Sequence, residues 1–237
     1  MSQLNYLPLA LPFFSLLAGA LLALVVLIEI GTLRYAYLRL GIGARAALLL
    51  LLASLIGSSV NIAVWQLPAR EVLSGREVWF FGMRYVVPAV VQWPGTVIAV
   101  NVGGAVIPAA LSLYLLARHR IWLRGLLAIA GVAVICHLLA TPVRGVGIAI
   151  PVFVPPIAAA ILAVVLSPRR AAPLAYIGGS VGTLIGADLL NLDKLQGLGA
   201  PVASIGGAGT FDGIFLTGIL AVVFASLSGP GPRPAAA

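Results

Sequence analysis

Charge is what this chain has least of. Only 8% of its 237 residues are charged, and just six of those are acidic. Soluble domains carry about 25% charged residues. With 62% hydrophobic residues, the chain holds more apolar surface than a soluble globule of this length could bury, so its solvent is a bilayer. Cysteine is nearly absent as well. Cys136 stands alone, which excludes an internal disulfide. Histidine occurs twice, and His137 beside Cys136 lacks the neighbours that a zinc site needs, so no metal or cofactor is expected. Nucleotide-, haem- and flavin-binding motifs are also missing. The net charge of +8 is no sign of nucleic-acid binding, because no motif accompanies it. It anchors loops at the bilayer surface instead.

What is there is a series of apolar runs. They suggest an all-α membrane protein, a polytopic bundle of about seven transmembrane helices forming a single integral membrane domain over 1–237. The expected spans are 7–29, 46–65, 96–116, 125–142, 148–166, 173–192 and 208–227. Pro151, Pro155 and Pro156 predict an unwound entry to the fifth, with a helix from about Pro156. Before Leu7 there is no basic stretch of the signal-peptide kind, so the first span is expected to be a retained helix.

The loop 66–95 is unusually rich in aromatic and branched residues. Arg76-Glu77-Val78-Trp79-Phe80-Phe81-Gly82-Met83-Arg84-Tyr85-Val86-Val87 predicts a short β-hairpin at the outer interface, punctuated by Gly82. Phe81 would lie where a strand edge could meet an extended peptide.

Basic residues fall unevenly. Arg34, Arg39, Arg45, Arg118, Arg120, Arg124, Arg169, Arg170 and Arg233 all follow odd-numbered spans. Counting short-loop arginines puts the N-terminus outside and the C-terminus in the cytoplasm.

Against this apolar background two aspartates stand out, Asp188 and Asp212, in the last two spans. A charge at the centre of a membrane helix costs about 2.5–3.5 kcal/mol on insertion scales, so such residues are rare and tend to be functional. Asn191, three residues after Asp188, shares its helix face. Asn101, at the start of the third span, is expected at similar depth and within reach of both aspartates, and Pro108 frees a backbone carbonyl nearby. Gly178, Gly182 and Gly186 recur every four residues, which marks a close-packing helix face.

Three functions fit these residues. Asp188 and Asp212 could be a catalytic carboxylate pair acting on a membrane-embedded peptide, with Asn101, Pro108, Phe81 and Asn191 around the substrate. They could bind a small ion or proton in a coupled transporter, with the broken segments Pro151 to Pro156 and Gly206 to Gly209 beside them. Or they could be structural, held by hydrogen bonds at helix ends, Asp212 near a helix N-terminus.

The segments Gly186-Ala187-Asp188-Leu189-Leu190-Asn191-Leu192, Ile205 to Leu216 and Val100 to Leu116 resemble a family of prokaryotic membrane proteins known as domain of unknown function 1614. That resemblance implies a helical membrane protein and no particular activity. Phe211-Asp212, Ile185-Gly186-Ala187-Asp188 and Pro108-Ala109-Ala110-Leu111 also resemble, more weakly, the Tyr-Asp, Gly-x-Gly-Asp and Pro-Ala-Leu motifs of presenilin-type intramembrane aspartyl proteases. Phe stands for Tyr, Ile and Ala for the two glycines, and one alanine is inserted. The second resemblance implies Asp188 and Asp212 as the catalytic pair.

Overall fold

The computed structural model describes residues 38–68, 70–80, 83–93, 95–143, 147–195, 202–207 and 213–227. The expected first span and the Arg34 that follows it, and also Phe81, Asp212 and Arg233, lie outside the described residues.

Among the described residues six apolar helices appear in the order α1 (Ala44–Gly57), α2 (Ile107–His119), α3 (Trp122–Leu139), α4 (Val154–Leu166), α5 (Pro168–Leu195) and α6 (Gly213–Leu227). Three stretches are long and apolar enough to cross a membrane: Val102–His119, Trp122–Leu139 and Pro168–Leu195. Arg45–Gly57, Val154–Leu166 and Thr217–Leu227 are apolar but shorter. The protein is therefore mostly helical and built for a membrane, with three helices of spanning length among the described residues where seven were expected.

The all-α expectation needs correction, because strands interrupt the predicted spans. The second ends as α1 at Gly57 and continues as strand β1 (Asn61–Gln66). The third begins as strand β4 (Val97–Asn101), and its helix starts only beyond it. Together with β7 (Val202–Ile205) these form a three-stranded sheet in the order β1-β4-β7. β1 runs antiparallel to β4 with a bulge between Ala63 and Trp65, whereas β4 and β7 are parallel. The reason is compositional. Asn61-Ile62-Ala63-Val64-Trp65-Gln66 and Val97-Ile98-Ala99-Val100-Asn101 are short runs of branched and aromatic residues, which favour strands and cannot be told from helix by hydrophobicity alone.

The hairpin of the long loop is longer than expected. β2 (Arg70–Phe80) pairs with β3 (Met83–Trp93) from Arg70↔Trp93 to Phe80↔Met83. A smaller hairpin joins β5 (Thr141–Val143) to β6 (Gly147–Ala149). The triple-proline entry is close to the expectation of an unwound entry and a helix from about Pro156: Pro151 lies before the helix, which starts two residues earlier than expected. α4 begins at Val154 and takes Pro155 and Pro156 into its first turn, where an N–H has no intrahelical partner anyway.

α5 is the axis of the bundle. Its glycine face lies against α3: a Cβ on Gly178 would sit 3.2 Å from that of Ala128, and one on Gly182 2.7 Å from that of Val132. Gly186 abuts the Ala133 backbone. Close approach of this kind stabilises apolar helices by dispersion, since lipid offers them no hydrophobic drive to associate. On other sides Gly179 meets Ala221 of α6 and Ala159 of α4. Leu115, Val132, Cys136, Ala163, Leu174, Ile177 and Val222 fill the core between the helices. The glycine-rich stretch has a second effect. Instead of regular α-turns, α5 makes wide turns at Gly178–Gly182 and Leu184–Asp188, then tightens over Leu189–Leu195. Wide turns are rare and concentrate at functional sites.

Candidate functional site

Asp188 closes the second wide turn of α5. Its Oδ2 accepts a hydrogen bond of 2.7 Å from the backbone N–H of Gly206, the first residue after β7. Gly206 has φ 95° and Gly207 φ 141°, a region that favours glycine, so the chain can turn sharply out of the strand there. A Cβ on Gly206 would lie 2.7 Å from both Ala105 N and Ala105 Cβ. The Asp188 carboxylate, the end of β7 and the start of the α2 segment are thus packed together.

Asn191 and Lys194 hold that turn. The Asn191 side chain is fully buried and its Nδ2 donates to Gly186 O at 2.7 Å and Ala187 O at 2.9 Å. Asn191 thus ties its own position back to the carbonyls of the second wide turn. Lys194 Nζ donates to Asn191 Oδ1 at 2.7 Å. The side chain expected beside a substrate is therefore bonded to its own helix, where it fixes the residues leading into Asp188.

Asn101 organises the neighbouring junction. It is buried at the end of β4, and its Oδ1 accepts from Gly104 N at 2.8 Å. Its Nδ2 donates to Ser58 O at 2.7 Å and to Asn61 Oδ1 at 3.1 Å. Ser204 Oγ of β7 reaches the same Asn61 Oδ1 at 2.7 Å. Ser54 Oγ of α1 donates to Gly103 O at 2.7 Å. Each hydrogen bond in this polar cluster links segments distant in sequence or seals a strand end. Asn101 and Asp188 serve adjoining backbone, since Gly104 bonds to Asn101 and Gly206, packed on Gly104 and Ala105, bonds to Asp188. Asn61, in the outer part of the second expected span, was expected to bond between helices; it instead joins Asn101 and Ser204 across the sheet, and Ser204 had no role in the sequence argument.

Pro108 is buried in the first turn of α2, directly after the wide turn Val102–Val106. Asp212 and Phe81, outside the described residues, immediately precede Gly213 of α6 and follow Phe80 of β2 in the sequence. Cys136 is core, its Sγ 3.7 Å from Thr183 Oγ1. His137 Nδ1 is buried without a hydrogen-bond partner among the described residues. No cluster of metal-ligating side chains occurs among the described residues.

A partly buried carboxylate, set in the longest apolar helix beside a small mixed sheet, defines the class: a helical membrane protein with a polar centre between its helices and its strands. The family described as "Protein of unknown function (DUF1614)" matches residues 55–224, which is more than half of the chain, and the protein belongs to that family. No curated protein and no solved structure matches it.

Proposed function

We propose that the protein is an intramembrane aspartyl peptidase in which Asp188 and Asp212 form the catalytic pair. The observation that carries this reading is the Asp188–Gly206 hydrogen bond. It ties the carboxylate of α5 to the start of the segment that runs from Gly206 to Asp212 and into α6. Two carboxylates at close range resist double ionisation and share a proton. The ionised one would take a proton from water as the water oxygen attacks the peptide carbonyl carbon. The protonated one would give its proton to the carbonyl oxygen, producing a tetrahedral diol. Proton transfer to the amide nitrogen then breaks the C–N bond, leaving an acid and an amine, with one proton back on the pair. Asn191 and Lys194 would act as positioning residues, and Asn101 and Pro108 would shape the wall facing the substrate. Phe81 would offer an apolar contact to an extended peptide.

In this proposal the chain acts as one integral domain of a prokaryotic inner membrane, with its N-terminus outside and its C-terminus in the cytoplasm. The substrate is a membrane-embedded peptide, and neither metal nor cofactor takes part.

A second reading has one observation in its favour. The same hydrogen bond gives Asp188 a structural task, since it satisfies a backbone N–H at the end of β7. The deciding experiment uses the full chain in liposomes with synthetic single-span peptides, read by mass spectrometry. Cleavage that is lost in both Asp188→Asn and Asp212→Asn supports the peptidase. No cleavage, or cleavage unaffected by the two substitutions, overturns it. Proton-dependent uptake of a solute lost in the same variants would make the site a transport site instead.

A further inference from the structure

The end of the bundle farthest from Asp188 is built from arginine. Three segments separated in sequence meet there: Leu38–Arg45 before and into α1, Ala117–Arg124 between α2 and α3, and Ser167–Arg170 at the start of α5. Arg170 Nη1 donates to the carbonyl of His119, and Arg124 Nη1 reaches Ser167 Oγ at 3.5 Å. Gly41 lies against Arg118, with a Cβ there 3.8 Å from Arg118 Nε. Arg118 in turn donates to Tyr114 OH at 2.8 Å. These contacts gather Arg39, Arg45, Arg118, Arg120, Arg124, Arg169 and Arg170 at one end of the bundle. The three segments contain no aspartate or glutamate. Asp188 lies toward the other end of α5, roughly 27 Å from Arg170 at the usual helical rise, and Asp193 lies farther still.

Six of these arginines are exposed; Arg39 is half-buried. Arg120 takes a left-handed backbone, φ 51°, that reverses the chain between α2 and α3 and sets Arg118 and Arg124 on either side of one short turn. Apolar residues alternate with them. Trp122 is 49% exposed, Leu123 73% and Leu38 56%. Exposed tryptophan and leucine interleaved with arginine suit the boundary between acyl chains and headgroups. The basic group is arginine throughout, and Lys194 is the chain's one lysine. A guanidinium presents a planar fork that matches two phosphate oxygens, which an ammonium does not.

We infer that this arginine-rich end binds the phosphate headgroups of anionic phospholipids in the leaflet that surrounds it. Trp122, Leu123 and Leu38 enter the acyl boundary, and Arg45, Arg120 and Arg169 contact the phosphates. The side chains of these three make no hydrogen bond among the described residues, so their donors are available to a ligand. The inference is independent of the peptidase proposal, since it uses none of the residues around Asp188.

The test is native mass spectrometry of the full chain in detergent, titrated with phosphatidylglycerol and, separately, with phosphatidylcholine. Phosphatidylglycerol is expected to be retained and phosphatidylcholine to dissociate. Each exposed arginine near an anionic surface contributes about fivefold, so the combined Arg45→Gln, Arg120→Gln and Arg169→Gln variant should bind phosphatidylglycerol roughly a hundredfold more weakly. The corresponding Lys variant should recover part of that loss and Arg84→Gln, in the β2–β3 hairpin, should bind like the parent. An unchanged melting temperature in the Gln variant separates lost binding from lost fold. Equal retention of the two lipids overturns the inference, as does parental binding by the Gln variant. Complete displacement of the lipid by inorganic phosphate would also overturn it, because the surface would then recognise bare phosphate.

Discussion

At Asn101 and at Ile205 two parallel strands end side by side, and each runs into the sequence Gly-Gly-Ala before a helix. The two junctions solve one problem differently. Where a strand ends, backbone N–H groups lose their ladder partners and need another acceptor. After β4 the acceptor is local: Asn101 Oδ1 takes the N–H of Gly104, three residues on. After β7 it is remote: Asp188 Oδ2 takes the N–H of Gly206, from eighteen residues away and another element. The neutral amide of Asn101 closes its turn and ties β4 to Ser58 and Asn61, but it cannot carry a titrating proton. A carboxylate brought in from α5 can close the turn and also carry a proton, and so the second junction is where chemistry is proposed.

Backbone substitutions should separate the junctions most strongly. Gly206→Ala would impose a Cβ on a positive φ and drive it into Ala105. Left-handed strain and overpacking each cost roughly 1–3 kcal/mol. Gly103→Ala has no positive φ, but its Cβ would collide with the backbone of Ser54 and Ser58 in α1 and the turn beyond it. Both variants should melt well below the parent in detergent, as followed by tryptophan fluorescence. A parental melting temperature for Gly206→Ala would show that the β7 junction is not packed as described.

The acceptors come next. Asp188→Ala and Asn101→Ala each leave a backbone N–H at a strand end without its partner, at a cost of about 1–3 kcal/mol. Asp188→Asn keeps an oxygen that can accept from Gly206 and should stay near parental stability, while any peptidase activity falls by a factor of about 10²–10⁴, typical for an acid–base group. If Asp188→Asn unfolds as readily as Asp188→Ala, the carboxylate charge itself holds the junction and the contrast with Asn101 is lost.

The smallest effect belongs to Lys194, one step removed from Asp188. Lys194→Met deletes its hydrogen bond to Asn191 but leaves Asn191 on the carbonyls of Gly186 and Ala187. The expected loss is about 0.5–1.5 kcal/mol. Asn191→Ala, which strips both carbonyls, should lower the melting temperature more. The reverse order would mean that Lys194 has contacts beyond Asn191.

Much of this was legible from the residues. Low charge and long apolar runs specify helices suited to a membrane. The four-residue spacing of Gly178, Gly182 and Gly186 specifies a packing face, found against Ala128, Val132 and Ala133 of α3. Aromatic and branched residues around Gly82 specify a hairpin, present as β2 and β3. These features depend on composition and periodicity, which act over neighbouring residues.

The three-stranded sheet was hidden because β1 and β4 continue apolar runs that read as helix, while β7 falls in the expected connection between the last two spans. Whether Val97–Asn101 becomes strand or helix depends on β1 and β7 lying alongside to complete its ladder, and those partners are remote in sequence. The second wide turn of α5 is likewise tied by Asn191, which reaches back to the carbonyls of Gly186 and Ala187. The sequence alone determined that Asp188 sits in an apolar segment where a charge is costly. Only the tertiary structure decided that its partner is Gly206, because a hydrogen bond between elements requires chain ends that folding brings together.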